Sequence, residues 1–230
     1  MKTIFFDLDD TLYDRSVPYR AAFAQFFGGR DTERAADAFA AFVKRGYEVF
    51  EAAHTGRMSM EQMYLYRHQK GLEDVGIAVT DADALTLQAL YAAQQQRITL
   101  SGDMVAVLEL CRVRFAAIGV ITNGGGQAQR AKLTQLGLPR WVAPELVLIS
   151  DECGVMKPDL EIFRMAERAA GCAPERLIYV GDSLRTDIAP AAARGWQTVW
   201  LDRKQTARPS AATATAQSEA ELLDCLRRMS

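Results

Sequence analysis

Thr3-Ile4-Phe5-Phe6-Asp7-Leu8-Asp9-Asp10-Thr11-Leu12 is the stretch from which the rest of the chain can be read. Thr3 to Phe6 is a short apolar, partly β-branched run, the pattern of a strand buried on both faces. Three carboxylates in the next four residues are poor packing material. Their mutual repulsion costs free energy unless a cation or a shared proton relieves it. Mg²⁺, a hard dication that takes oxygen ligands, suits that task. The plain alternative is a solvated acidic turn, and residues farther along the chain decide between the two.

The pattern changes at once. From about Val17 to Gln96 the spacing is helical and no strand pattern stands out. Ala21, Ala22, Phe23, Phe26 and Phe27 fall at helical intervals, and Phe39, Phe42, Val43, Tyr47 and Phe50 form a one-sided stripe over 35–50. Ser59 with Gln62 predicts a capping box opening a helix to about Lys70, and Thr80 to Asp83 starts another running to about Gln96. From Ser101 onward helices and strands alternate. Helices are expected over 104–113, 127–136, 158–170 (with Pro158 in the first turn) and 187–194, and strands over 115–121, 146–149, 177–180 and 198–201. Residues 203–217 read as a loop or weak edge strand, and Ser218 with Glu221 as a capping box for a terminal helix. Such alternation means βαβ units and a parallel sheet. The expected fold is therefore α/β, a Rossmann-like parallel sheet covered by helices. Residues 1–14 and 98–230 form the core, and an all-helical block at 15–97 is inserted over the end of the first strand.

Composition narrows the function class. A net charge of −2 supplies no field for a nucleic-acid polymer. No apolar run approaches the ~20 residues that span a bilayer, and the first strand is too short for a signal segment. Cys111, Cys153, Cys172 and Cys225 are widely spaced with no CxxC pair, which suits buried thiols in a reducing cytoplasm. Monomer and homodimer remain equally open.

Ligands of open parallel sheets bind beyond the carboxyl ends of the strands, and four such ends here carry reactive residues. They are Asp7-Leu8-Asp9; Thr122-Asn123-Gly124-Gly125-Gly126; Lys157-Pro158, a short loop after Ser150-Asp151; and Gly181-Asp182-Ser183 leading to Asp187. Each has a bland reading by itself: a turn, a surface lysine, a helix cap. Gln129 breaks G-x-G-x-x-G, and no P-loop motif occurs. Four coincidences at four strand ends are another matter. The set meets the needs of phosphoryl transfer, in which a dication and a lysine admit an anionic substrate to a carboxylate-rich site. Asp7 and Asp182 can bind Mg²⁺ with Asp9 beside them. Thr122 and the N–H groups of Asn123 and Gly124 can hold phosphate oxygens. Lys157 neutralises the remaining charge. One carboxylate can attack phosphorus, and another can pass the proton.

At these four motifs the chain resembles the haloacid dehalogenase-like hydrolase superfamily, in particular members with a helical cap inserted after the first motif. The resemblance implies that Asp7 is the nucleophile and Asp9 the general acid/base. It further implies that Thr122, Asn123 and Lys157 bind phosphate, and that Mg²⁺ sits on Asp7, the Asp9 backbone carbonyl and Asp182. Asp187 then acts behind the metal ligands, and Asp10 has no direct role. Dehalogenases of the family lack an acid two residues after the nucleophile, so Asp9 favours a phosphatase acting on a small phosphate monoester. The Asp-Leu-Asp-Asp-Thr-Leu-Tyr and Gly-Asp-Ser-Leu-Arg-Thr-Asp-Ile stretches look like those of pyrimidine 5′-nucleotidases and acylneuraminate phosphatases. A nucleoside 5′-monophosphate is therefore the expected substrate, with a sugar phosphate as the alternative. A phosphomutase and a non-catalytic phosphate-binding module are the rival readings. In the helical block His54, Arg57, Arg67, His68 and Lys70 are available to a substrate, although a solvated role is the simpler reading of each.

Overall fold

All four residues of β1 (Thr3–Phe6) are buried, as an apolar run covered on both faces requires. The strand lies inside a six-stranded sheet with β2 (Ile118–Thr122), β3 (Val147–Ile149), β4 (Leu177–Gly181), β5 (Gln197–Leu201) and β6 (Ala214–Ala216). The order is β3-β2-β1-β4-β5-β6, and each pairing in it is parallel. The computed structural model describes residues 1–206 and 210–229. Chain order runs outward from β1 to β2 and β3, then returns to β4 on the other side of β1. That reversal places a crevice at the carboxyl ends of β1 and β4, where doubly wound sheets bind ligands. In register Phe6 pairs with Val180, so Asp7 and Asp182 leave neighbouring strand ends almost level.

The sheet is held by apolar packing against its helices. Ile162, Phe163 and Ala166 of the helix Leu160–Ala170 pack with Phe5, Ile121, Tyr179 and Trp196. The Phe163 ring meets those of Tyr179 and Trp196 at 5.5 and 5.6 Å, within the favourable range for aromatic pairs.

Several boundaries differ from the sequence expectation, each for a local reason. β2 starts at Ile118, because Phe115 caps the preceding helix Gly102–Arg114. The helix expected from Pro158 begins at Leu160; the Asp159 side chain accepts from the Glu161 N–H at 2.8 Å and serves as its cap. The helix expected over 187–194 opens as a π turn, Leu184–Ile188, before Ala189–Ala193. A short helix, Ser150–Cys153, follows β3 where none was expected. The stretch 203–217 does contain an edge strand, β6, while its residues 207–209 lie outside the described residues. Ser218 caps the helix Glu219–Arg228, but the Glu221 carboxylate accepts from the Gln217 N–H, so the reciprocal half of the box falls one residue early.

The chain divides into two compact units, Met1–Asp14 with Thr99–Ser230, and Arg15–Ile98. The second is helical throughout its regular structure: Ser16–Phe26, the short turn Thr32–Arg34, Ala35–His54, Met60–Glu73 and Asp81–Gln95. Both expected capping boxes are present, at Ser59/Gln62 and Thr80/Asp83. Its core gathers Tyr19, Phe23, Phe39, Phe42, Leu72, Leu87 and Tyr91.

Two polar residues of this unit pack against its aromatic core. His68 is wholly buried, 4.8 Å from the Phe42 ring and 6.2 Å from that of Tyr19, with Nε2 3.0 Å from Gln88 Oε1. The Arg67 guanidinium lies over the Phe42 and Tyr64 rings at 4.5 and 4.8 Å and donates to Gln88 at 2.7 Å. By contrast Arg57 and Lys70 make exposed ion pairs with Glu51 and Glu73, and His54 stacks on Phe50.

Burial, helped by the adjacent Arg67 charge, pushes the His68 imidazole down to about 3. An unfolded chain binds that proton near pH 6.5, so between these values the unfolded state holds one proton more. Stability is then lost as pH falls below 6.5. Wild-type stability should fall relative to that of His68→Gln by about 2 kcal/mol between pH 7 and pH 5, read by urea unfolding. Parallel pH dependences for the two proteins would rule out this role for His68.

Candidate active site

Lys157 collects the site. It follows the short helix after β3, and the residue is only 4% exposed. All three of its ammonium donors are used: Asp7 Oδ1 at 2.7 Å, Asp187 Oδ1 at 2.6 Å and the Tyr179 hydroxyl at 2.9 Å. Burial alone pulls the lysine down, but Asp187 and Asp7 outweigh it and hold the amine well above its ordinary value. Lys157 is therefore a fixed positive charge.

Asp7 leaves the end of β1 with its N–H donating to Val180 O at 2.9 Å, which continues the ladder and fixes its direction. Burial pushes its carboxyl up to about 7; Lys157 pulls against that, and Asp187 adds to it. Asp187 reaches Lys157 because Gly181 has no side chain: a Cβ there would lie 2.6 Å from the Asp187 Cβ. The wide π turn that carries Asp187 also lets its Oδ2 accept from the Ser183 N–H at 3.0 Å. The backbone of Asp182 is fixed by Trp200, whose Nε1 donates to the Asp182 carbonyl at 2.9 Å.

Ligand oxygens of Asp7, Asp182 and Asp187 lie within 4.8 Å of one another. Three carboxylates converge here, Lys157 bonds to two of them, and the donor set is oxygen throughout. A hard dication fits that charge and that chemistry. The Asp9 side chain lies outside this trio.

The residues expected to bind phosphate are engaged in different ways. Thr122, at the end of β2, is 1% exposed, and its Oγ1 accepts from Gln129 Nε2 at 2.6 Å. The Asn123 amide is spent on the Lys157 backbone, donating to its carbonyl at 2.8 Å and accepting from its N–H at 2.9 Å. The side chain of Asn123 is thus a brace between two segments. The Gly124 N–H, also expected to face phosphate, donates to Ser150 Oγ at 3.0 Å.

Asp9 has its own environment. Lys132 Nζ donates to both carboxylate oxygens at 2.8 and 2.9 Å, the Tyr13 hydroxyl to Oδ1 at 2.6 Å, and Gln129 Nε2 to Oδ2 at 3.0 Å. Asp10 occupies the left-handed region at φ 63° as the turn residue, a conformation Asp tolerates. Arg203 donates to the carbonyls of Asp10 and Thr11 at 3.3 and 2.7 Å and pairs with Glu219. Tyr179, Gln129, Lys132, Tyr13 and Arg203 were not singled out as functional from sequence. Only Gln129 carried a signal, since a polar residue stands there in place of the last glycine of a nucleotide loop.

A family model described as a haloacid dehalogenase-like hydrolase matches residues 1–195. The phosphoserine phosphatase of Thermus thermophilus is 32% identical over 228 residues, spanning 88% of this chain and 89% of that protein. The pyrimidine 5′-nucleotidase PynA of Streptococcus pneumoniae is 28% identical, spanning 98% and 94%. Among solved structures, the L-2-haloacid dehalogenase of Xanthobacter autotrophicus has the same fold, with a TM-score of 0.73 at 17% identity over the full length of both chains. With its parallel sheet, the carboxylates at its strand ends and a match over residues 1–195, the chain belongs to the haloacid dehalogenase-like hydrolases.

Proposed function

We propose that the protein is a Mg²⁺-dependent phosphatase that hydrolyses a small phosphate monoester through an aspartyl-phosphate. The observation that carries this reading is Asp9, a second carboxylate two residues beyond Asp7, held by its own donors and apart from the metal-type trio. Halide leaving groups need no proton, whereas an alkoxide does. Likeness in fold to a dehalogenase therefore does not extend to its chemistry.

Lys157 holds Oδ1 of Asp7, so Oδ2 is presented to phosphorus. As the Asp7–phosphorus bond forms, the bond to the leaving oxygen breaks and that oxygen takes a proton from Asp9. Water then attacks phosphorus, gives its proton to Asp9 and releases inorganic phosphate, which restores Asp7. Thr122, the Asn123 N–H and Lys157 hold the phosphoryl oxygens during both steps. Asp7 and Asp182, with the Asp9 carbonyl, would hold a dication, which when bound would supply charge neutralisation between carboxylates and phosphate. Asp187 keeps Lys157 in place behind them.

The helical unit leaves the sheet unit seven residues after Asp7 and returns at Thr99. We assign it the role of a cap that selects the leaving group. A nucleoside 5′-monophosphate is the leading substrate class, supported by the full-length similarity to PynA; phosphoserine and sugar phosphates are the alternatives. Free thiols at Cys111, Cys153, Cys172 and Cys225 support a reducing, cytoplasmic setting.

A phosphate-release screen over nucleoside monophosphates, phosphoserine and sugar phosphates should show free phosphate from at least one class. Transfer to a sugar without release would identify a mutase, and no turnover of any ester would identify a binding module. EDTA should abolish release and Mg²⁺ restore it; full activity in EDTA would remove the metal from the reaction. Asp7→Asn should lower turnover of p-nitrophenyl phosphate by at least about a thousandfold with the fold intact. Retained turnover in that variant excludes the aspartyl-phosphate route.

A further inference from the structure

Two lysines divide three of the four carboxylates of this site between them. Lys157 serves Asp7 and Asp187, while Lys132 serves Asp9 alone. We infer that Lys132 is a positioning residue for Asp9, and that Gln129 ties the same carboxylate to the hydroxyl of Thr122. This inference rests on Asp9 being the proton-transfer group.

A carboxylate has about four lone-pair sites, and donors from three residues reach both oxygens of Asp9, one of which gives way when the carboxylate carries the proton. Lys132 reaches both oxygens, Tyr13 takes a further position on Oδ1 and Gln129 one on Oδ2. Donors on both oxygens fix the plane of the carboxylate as well as its distance, which a single surface ion pair does not do. The pair is also shielded, with 12% of the Lys132 side chain and 16% of the Asp9 side chain exposed.

The local architecture serves the same end. Gln129 and Lys132 lie three residues apart on the helix Gly126–Gln135, so both project from one face. That helix starts directly after the Thr122–Gly125 turn, so its position is set by the turn that would hold phosphate. Gln129 is 2% exposed, and its Nε2 lies within 3.3 Å of Asp9 Oδ2, Thr122 Oγ1 and Asn123 O. Room for it comes from Gly124, at φ 149°, where a Cβ would sit 2.9 Å from the Gln129 Cδ. One nitrogen thus registers the proton-transfer carboxylate against the phosphate-binding hydroxyl. An ion pair kept for stability alone would need neither the glutamine bridge nor the glycine.

Lys132 forms and breaks no bond in the reaction. Its effect is the angle and distance at which Asp9 meets the leaving oxygen, and misplacement by about 1 Å at such a point can cost about a hundredfold in rate. The loss should fall on esters that need protonation most.

The test compares a poor leaving group, β-glycerophosphate, with a good one, p-nitrophenyl phosphate, in Mg²⁺. The ratio of their kcat values does not depend on how much of a preparation is folded. Lys132→Met should lower the β-glycerophosphate-to-p-nitrophenyl phosphate ratio about tenfold, with KM for both esters nearly unchanged. Lys132→Arg, which keeps the paired donors, should recover most of it. In an Asp9→Asn background, Lys132→Met should leave the ratio where Asp9→Asn alone put it. A ratio unchanged by Lys132→Met but lowered by Asp9→Asn would reduce Lys132 to a structural ion pair. A ratio unchanged by Asp9→Asn would instead overturn the role of Asp9, and this inference with it.

Discussion

The structure of the site depends on one buried ammonium. Asp7 and Asp187 come from segments 180 residues apart in the chain and are both out of water. Carboxylates so placed repel each other and lose their hydration, a cost that only a well-bonded countercharge offsets. Lys157 meets that demand with three short hydrogen bonds, the third to Tyr179, whose hydroxyl in turn donates to Ile121 O at 2.9 Å. The lysine thereby joins the end of β1, the middle of β4 and the π turn, and through Tyr179 it is tied to β2. Loss of such a charge would leave its partners uncompensated, at a cost of about 3–5 kcal/mol. Even with Lys157 in place the ligand oxygens of Asp7, Asp182 and Asp187 crowd within 4.8 Å, an imbalance that shows in the Asp7 carboxyl, raised by burial and by the neighbouring carboxylates. The same imbalance that burdens the fold makes the site receptive to a dication.

Asp9 is only two residues from Asp7, yet its carboxylate takes its hydrogen bonds from a different set of partners. Its backbone follows β1 out of the sheet, and the left-handed turn at Asp10 carries the chain onward to Tyr13, within reach of the Asp9 carboxylate. Arg203 anchors that turn to the helix Glu219–Arg228. Separation of the two carboxylates by environment is the usual way one site accommodates both an attacking group and a proton carrier. Here the two carboxylates pair with different lysines, Asp7 with Lys157 and Asp9 with Lys132.

Much of the fold was legible in the sequence because it is written in local periodicity. β1 reads as buried on both faces and proves to be an interior strand, and the switch from helical spacing to alternation near residue 100 marks the return to the sheet unit at Thr99. The departures occur where one side chain decides a boundary. Asp159 outcompetes Pro158 for the start of its helix, and Asp187 draws its turn into a π geometry to reach Lys157. The helical unit concealed more. His68 and Arg67 read as polar surface, but the aromatic cluster around Tyr19 and Phe42 has room for both once Gln88 supplies a partner.

By itself the sequence determined that four strand ends carry carboxylates, a threonine, an asparagine and a lysine, and that a helical block interrupts the sheet after the first of them. Those are properties of residue type and spacing, which need no knowledge of contacts. Only the tertiary structure decided which charge meets which. Lys157 could have faced solvent, the Asn123 amide could have faced phosphate, and Lys132 shares its helix with Arg130, which pairs with Glu152 instead. Register between strands brings residues more than a hundred positions apart within 3 Å, and buried donors and acceptors must then find one another. That pairing is settled by the competition among all polar groups sharing one small volume, and no single segment of the chain contains it.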